Sequence, residues 1–150
     1  MSDVALCRHF GTCGGCAYQD LPDDAYRALK QSRVADALAQ HGFDDAAVEN
    51  IAEVVPFTRR RAAFKAAKIG GEVRIGFHAA SSHDIVDMQE CRVLTPELFA
   101  RVAQFRLMMV DLLDDGQKAE LSVTETQNGA DVSIHWSRAA RPTIATAIAR

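Results

Sequence analysis

The chain has 150 residues, of which 48% are hydrophobic and 25% are charged, a composition typical of a globular protein rather than a disordered or membrane one. No apolar run approaches the roughly 20 residues that span a bilayer, and the first residues lack the pattern of a secretory signal. The net charge of -3 gives no overall basic character, so we expect a cytoplasmic protein without a membrane partner, whose binding to nucleic acid would need a local basic patch.

Three of the four cysteines lie close together near the start of the chain, among glycines that favour an irregular loop. They are Cys7, Cys13 and Cys16, and the fourth is Cys91. In a cytosolic protein such a set more commonly binds metal than forms disulfides. Structural zinc sites commonly use two short pairs of ligands, so the three-plus-one spacing favours a cubic iron–sulfur cluster. Zinc, or a Cys91 that is only a buried core thiol, is the alternative.

A first helix is predicted after the cysteine loop. Pro22 suits a first helical position, Asp23 and Asp24 favour the positive end of the helix dipole, and Gly42 can end the helix. A buried stripe on this helix would comprise Tyr26, Leu29, Val34, Ala37 and Leu38.

A β-hairpin is predicted next, with Gly70-Gly71 as a tight turn. Counting outward from a two-residue turn pairs Ile69 with Glu72, Ala66 with Ile75, and Phe64 with Phe77. The last two pairs make one face of the hairpin apolar.

The opposite face of this hairpin is predicted to be basic. It carries Arg61, Lys65, Arg74 and His78, with Arg59 and Arg60 just before the first strand. Lysine and arginine on one sheet face can neutralise phosphates, and an exposed histidine can support a splayed base. The set is a candidate RNA-binding surface, and a solvated charged face is the alternative.

The polar segment after the hairpin has two interpretations. Ser82, His83, Asp84 and Asp87 could form an acid–base or metal group. The plainer interpretation is a turn and a short strand at Ile85-Val86 that delivers Cys91 to the metal site.

The second half of the chain predicts a helix and another hairpin. Thr95 is a candidate N-cap, Pro96 the first helical residue and Gly116 the stop. The apolar stripe of this helix would comprise Leu98, Val102, Phe105, Met109 and Leu112. The second hairpin alternates with period two on either side of Asn128-Gly129. Residues 141–150 look like the beginning of a further helix, which predicts a chain cut within something larger.

Three motifs in order resemble a known enzyme family. "CxHFGxCGGCxYQ", "RRRAxFK" and "IGFHAxxSHDIVDMxEC" are similar to the cluster-containing branch of bacterial RNA uridine-C5 methyltransferases, the S-adenosylmethionine-dependent enzymes that make 5-methyluridine in 23S ribosomal RNA. The resemblance covers Cys7 to about Pro96. It implies that the four cysteines hold a [4Fe-4S] cluster of structural role and that the surrounding region helps to bind RNA. It also implies a preceding RNA-binding β-barrel, which this chain begins too late to contain.

The chain departs from the family pattern where catalysis is concerned. The family chemistry needs a cysteine thiolate to attack C6 of uracil and a base to remove the C5 proton, and all four cysteines are assigned to the cluster. No strand, glycine-rich turn and helix stand in sequence to bind the methyl donor. We therefore expect catalysis and S-adenosylmethionine binding in a separate domain, and an inactive fragment here.

The expected fold is α+β: an iron–sulfur loop and antiparallel hairpins packed with helices, truncated before a Rossmann-like methyltransferase domain. The expected divisions are 1–20 for the cluster loop, 21–117 for the central RNA-binding region and 118–150 for the second hairpin and the helix start. We expect a monomer that binds RNA. The rival hypotheses are a small [4Fe-4S] electron-transfer protein and a zinc-stabilised interaction module.

Overall fold

The structure is a computed structural model that describes residues 6–136. The chain divides into two compact units, of which the first comprises Met1–Ala17 with Pro56–Arg150 and the second is Tyr18–Val55. In residues 6–136, no helix is long and apolar enough to cross a membrane. The helix predicted over residues 141–150 lies outside the described residues.

The second unit contains one helix, α1 (Asp23–Gln40). Pro22 is its N-cap rather than its first residue, and Gly42 follows the C-cap with a φ of 81°. The predicted buried stripe is wrong, because no residue of α1 is buried and Val34 is 51% exposed. The reason is that the rest of this unit forms no further helix or strand that could cover an apolar face.

The first unit is built on a five-stranded antiparallel sheet, as the α+β expectation requires. Its strands are β1 (Arg61–Ile69), β2 (Glu72–His78), β3 (Ile85–Asp87), β4 (Lys118–Thr126) and β5 (Gly129–Trp136). The spatial order is β3-β2-β1-β4-β5. Both predicted hairpins therefore belong to one sheet, joined by the pairing of β1 with β4.

The first hairpin has the predicted register. Gly70 and Gly71 adopt φ angles of 61° and 84°, which suit a primed turn. Ala66 pairs with Ile75 and Ile69 with Glu72, as counting predicted.

The second hairpin turns one residue earlier than predicted. Thr126 pairs with Gly129, so the two turn residues are Gln127 and Asn128. Gly129 is the first residue of β5, and its φ of 148° is one that favours glycine.

The predicted second helix is two helices, α2 (Pro96–Ala100) and α3 (Val102–Leu112). Thr95 is the N-cap as predicted, and its hydroxyl accepts a hydrogen bond from the N–H of Leu98. The break lies at Arg101, whose N–H donates to the carbonyl of Leu98 three residues back, which tightens the turn.

The apolar stripe predicted for these helices is buried in the core. The helices and one face of the sheet share a single hydrophobic cluster. Its largest fully buried side chains are Phe64, Ile75, Leu94, Leu98, Met109, Leu121 and Val123.

Candidate cysteine site and basic groove

The cysteine loop is attached to the segment that follows β2. Cys13 forms an isolated antiparallel bridge with Ala79, and the N–H of Gly14 donates to the carbonyl of His78 at 2.8 Å. The N–H of Ala80 donates to the carbonyl of Thr12 at 2.9 Å. These backbone bonds hold three of the cysteines beside the end of the sheet.

Gly14 is required by the closeness of this contact. A Cβ atom there would lie 3.1 Å from the carbonyl oxygen of His78 and 3.4 Å from that of Ala79. Because both neighbours are backbone atoms, a side chain would push the loop away from the sheet.

A second set of bonds ties the loop to the segment that carries Cys91. The N–H of Gln89 donates to Nε2 of His9 at 3.1 Å, and the N–H of Arg8 donates to the Glu90 carboxylate at 3.3 Å. His9 therefore links the two halves of the site through its ring nitrogen.

Cys16 and Cys7 lie near enough to both Cys13 and Cys91 to influence their ionisation. All four are half-buried and none forms a disulfide. Burial raises the pKa of Cys91, and the nearby charges of Cys16 and Cys7 raise it further. Burial likewise raises the pKa of Cys13, again with contributions from Cys16 and Cys7.

Backbone N–H groups point at two of these sulfurs and oppose the rise in pKa. The N–H of Gly15 donates to Sγ of Cys13 at 3.4 Å. The N–H groups of Val93 and Leu94 donate to the thiol of Cys91. Hydrogen bonding of this kind favours the thiolate form that binds metal. Among residues 6–136, no group of three or more His, Cys, Asp or Glu side chains is arranged to hold a metal ion.

A groove opens where β1 and β2 separate. The β1–β2 register ends at Lys65 opposite Gly76, whereas β1 continues to Arg61 beside β4 and β2 continues to His78 beside β3. The resulting space is about 450 Å³. It is lined by Arg59, Arg61, Ala62, Ala63, Phe77, Ser122 and Thr124.

The predicted basic residues do not all lie together. Arg59 and Arg61 line the groove, while Arg60 is exposed but is not part of the groove wall. Alternation along an extended chain explains this division, because successive side chains point to opposite sides. Arg74 is exposed on the same sheet face as Lys65, farther along.

His78 lies at the far end of β2 and is half-buried. Its ring meets that of His83 edge to face, with 5.6 Å between ring centroids. In the part of the chain that the structure describes, its Nδ1 is buried without a hydrogen-bond partner.

Glu120 lies on the same sheet face as the basic residues, a position that the sequence patterns did not indicate. It pairs with Lys65 across β1 and β4 and forms an ion pair with it. The hydrogen bond from Lys65 holds the pKa of Glu120 below its ordinary value. Alternation within β4 puts Glu120, Ser122 and Thr124 on one face, but only the pairing with β1 reveals which face.

The polar segment before Cys91 does not gather into a site. The Ser82 hydroxyl donates to Asp84 within its own turn at 3.0 Å. Asp87 instead pairs with Arg106 of α3 at 2.6 Å. The turn and short strand are as the plainer interpretation predicted.

Comparison with known proteins identifies relatives of this chain. No family model matches the chain. An RNA methyltransferase of uncharacterised function from Brucella suis is 39% identical over 127 residues, which are 85% of this chain and 30% of that protein. One from Agrobacterium fabrum is 36% identical over 135 residues, covering 86% of this chain and 32% of its own length. The chain is homologous to part of the RNA methyltransferases.

A relative with a more specific name is found in Halomonas elongata. This 23S rRNA (uracil(1939)-C(5))-methyltransferase is 37% identical over 107 residues, 67% of this chain and 21% of its own length. The chain thus spans about a third or less of the RNA methyltransferases that it matches.

Proposed function

We propose that this chain is the iron–sulfur-binding and RNA-recognition portion of a 23S ribosomal RNA uridine-C5 methyltransferase. The observation that carries the proposal is that hydrogen bonds through His9 and Glu90 tie the loop of three cysteines to the segment that carries Cys91, in a chain homologous to RNA methyltransferases. The homology favours this function over a small electron-transfer protein or a zinc-stabilised interaction module.

In this proposal Cys7, Cys13, Cys16 and Cys91 each supply one thiolate to a [4Fe-4S] cluster. The chemistry of the four thiols supports this assignment, because backbone N–H groups point at two of the sulfurs, as is usual around such clusters; binding would still have to draw the four sulfurs into one site. A single zinc ion would need four sulfurs about 2.3 Å from one centre, whereas a cubane gives each thiolate an iron of its own. A bound cluster would supply cross-links between the loop and the sheet, a structural role suited to a reaction that moves no electrons.

The basic residues Arg59, Arg60, Arg61, Lys65, Arg74 and His78 are proposed to contact the RNA. Their cations would neutralise phosphates and so contribute a salt-dependent share of the affinity. The methyl donor S-adenosylmethionine, the attacking cysteine and the general base are proposed to belong to other parts of the full-length enzyme. The chain by itself should then bind RNA without methylating it.

Anaerobic purification followed by visible absorption and metal analysis tests the cluster assignment. We expect a brown protein with about four irons and four sulfides per chain, as a four-thiolate cubane requires. A Cys91→Ser variant should lose the absorption, because it removes one iron ligand. A colourless protein that holds one zinc ion would overturn the assignment.

RNA affinity is tested separately, with the same purified chain and a single-stranded fragment of 23S rRNA. Binding should weaken steeply as salt rises. Reversible one-electron reduction without RNA affinity would instead identify an electron-transfer protein.

A further inference from the structure

We propose that the groove between β1, β2 and β4 binds one unstacked nucleotide of single-stranded RNA. This inference rests on the proposed RNA-binding function and gives it a site and a mode of recognition. The groove is about 450 Å³, within the roughly 300–1,000 Å³ typical of sites for small molecules.

The geometry of the strands creates space for a base. Beyond Lys65 and Gly76 the two strands no longer pair with each other. Ala62 and Ala63 line the groove on β1, and their methyl groups leave room that larger side chains would fill. An unstacked base can therefore approach the sheet between the strands.

Phe77 provides an aromatic wall and a link to the cysteine loop. Its ring stacks on Phe64 with 5.6 Å between centroids, which fixes it in place. A Cβ atom on Gly15 would lie 3.4 Å from the same ring. Stacking of a base on an aromatic side chain is tolerant of base identity, because every base has a π-face.

Two arginines at the groove can bind the phosphate of the nucleotide. Arg61 donates one of its five N–H groups to the Thr124 hydroxyl at 3.2 Å, which orients the guanidinium. Arg59 is exposed, and its backbone is bonded to Val93 and Thr95, beyond the cysteine site. Arginine is suited to phosphate because its planar fork can donate two parallel hydrogen bonds.

The polar side of the groove does not select one base over another. Ser122 and Thr124 present hydroxyl groups, which both donate and accept hydrogen bonds. We therefore expect the groove to recognise that a base is present, while discriminating poorly among bases.

The same structure distinguishes this groove from the rest of the basic face. Lys65 is already paired with Glu120, and Arg60 is exposed outside the groove. Arg60 is the matched control for Arg59 and Arg61, since it carries the same charge in the same three-residue run.

The test compares two fluorescein-labelled probes of equal length and charge: a single-stranded oligouridine and an oligomer of abasic ribose phosphate. Fluorescence anisotropy gives the affinity of the chain for each probe. Stacking of one base is worth about 1–3 kcal/mol, so oligouridine should bind about 5- to 150-fold more tightly. If neither probe binds, the proposed RNA-binding function itself fails.

Filling the groove should remove this preference. Ala63→Ile places a β-branched side chain, favourable in a strand, at an exposed position of the groove. It should lower oligouridine affinity to that of the abasic probe, and Ser122→Ile should do the same if Ala63→Ile fails to fold. Ser133→Ile, exposed on neighbouring β5 and outside the groove, should leave the preference intact.

The arginine variants test the phosphate contact. Arg59→Ala and Arg61→Ala should each reduce the slope of log K against log salt by about 0.7 and weaken the preference for oligouridine. Arg60→Ala should weaken both probes alike and keep the preference. If the wild-type chain binds both probes equally, or if folded Ala63→Ile or Ser122→Ile retains the preference, the groove assignment is overturned while RNA binding stands.

Discussion

Replacing Gly76 by alanine should force β3 away from β2 and displace Cys91. A Cβ atom at Gly76 would lie 2.1 Å from the carbonyl oxygen of Val86 and 3.1 Å from Cβ of Met88. Ordinary contact begins at 3.4 Å, so the two strands would have to separate by about 1.3 Å at this point. The obstructing atom is part of the backbone and cannot rotate aside.

The expected cost follows from the bonds that hold β3. This short edge strand pairs with β2 through Asp87, Val86 and Ile85, and the N–H of Met88 donates to the carbonyl of Ile75 at 2.8 Å. Overpacking typically costs about 1–3 kcal/mol, and each lost hydrogen bond about 0.5–1.5 kcal/mol. We expect the free energy of unfolding to fall by about 2–4 kcal/mol, and the proposed cluster to lose iron.

Urea unfolding of Gly76→Ala, followed by the fluorescence of Trp136, measures the first effect, since the chain has one tryptophan. Iron analysis after anaerobic purification measures the second. Gly15→Ala is the control for stability alone, because its Cβ would meet the Phe77 ring at 3.4 Å, in ordinary contact, and should change stability by about 0.5 kcal/mol or less. Wild-type stability and iron content in Gly76→Ala would refute the argument that the close β2–β3 contact positions Cys91.

Three further predictions concern the sheet and its basic face. Glu120→Gln should strengthen RNA binding and raise its salt slope by up to about 0.7, since Lys65 becomes available to a phosphate; an unchanged slope in anisotropy titrations would show that Lys65 does not contact RNA. In the wild type, the hydrogen bond from Lys65 lowers the pKa of Glu120. This ion pair should therefore stabilise the fold above pH 4.5, the ordinary pKa of the carboxyl, and the stabilisation should be lost as acid protonates Glu120 in the folded state. In Glu120→Gln, this part of the acid-dependent loss of stability should be absent. Phe64→Ala should destabilise the chain by about 3–5 kcal/mol in urea, because Phe64 is fully buried, and a change below about 1 kcal/mol would contradict its place in the core.

Local sequence patterns predicted the elements whose geometry depends on a few adjacent residues. The Gly70-Gly71 turn established the register of the first hairpin, because a two-residue turn leaves only one way to count the pairs. Thr95 was identified as an N-cap from residue type alone. The same approach failed for α1, where apolar spacing predicted burial but no residue of the helix is buried.

Cysteine spacing, the basic run and the motif order are all features of the sequence itself, and they were sufficient to indicate the RNA methyltransferases. Tertiary structure decided which of these residues act together. The pairing of β1 with β4 joins segments that are distant in the chain, and its register depends on burial of the whole core rather than on any turn between them. That pairing places Glu120 beside Lys65 and brings Ser122 and Thr124 to the groove wall. Side-chain alternation assigns residues to two faces, but only the packed helices determine which face meets solvent.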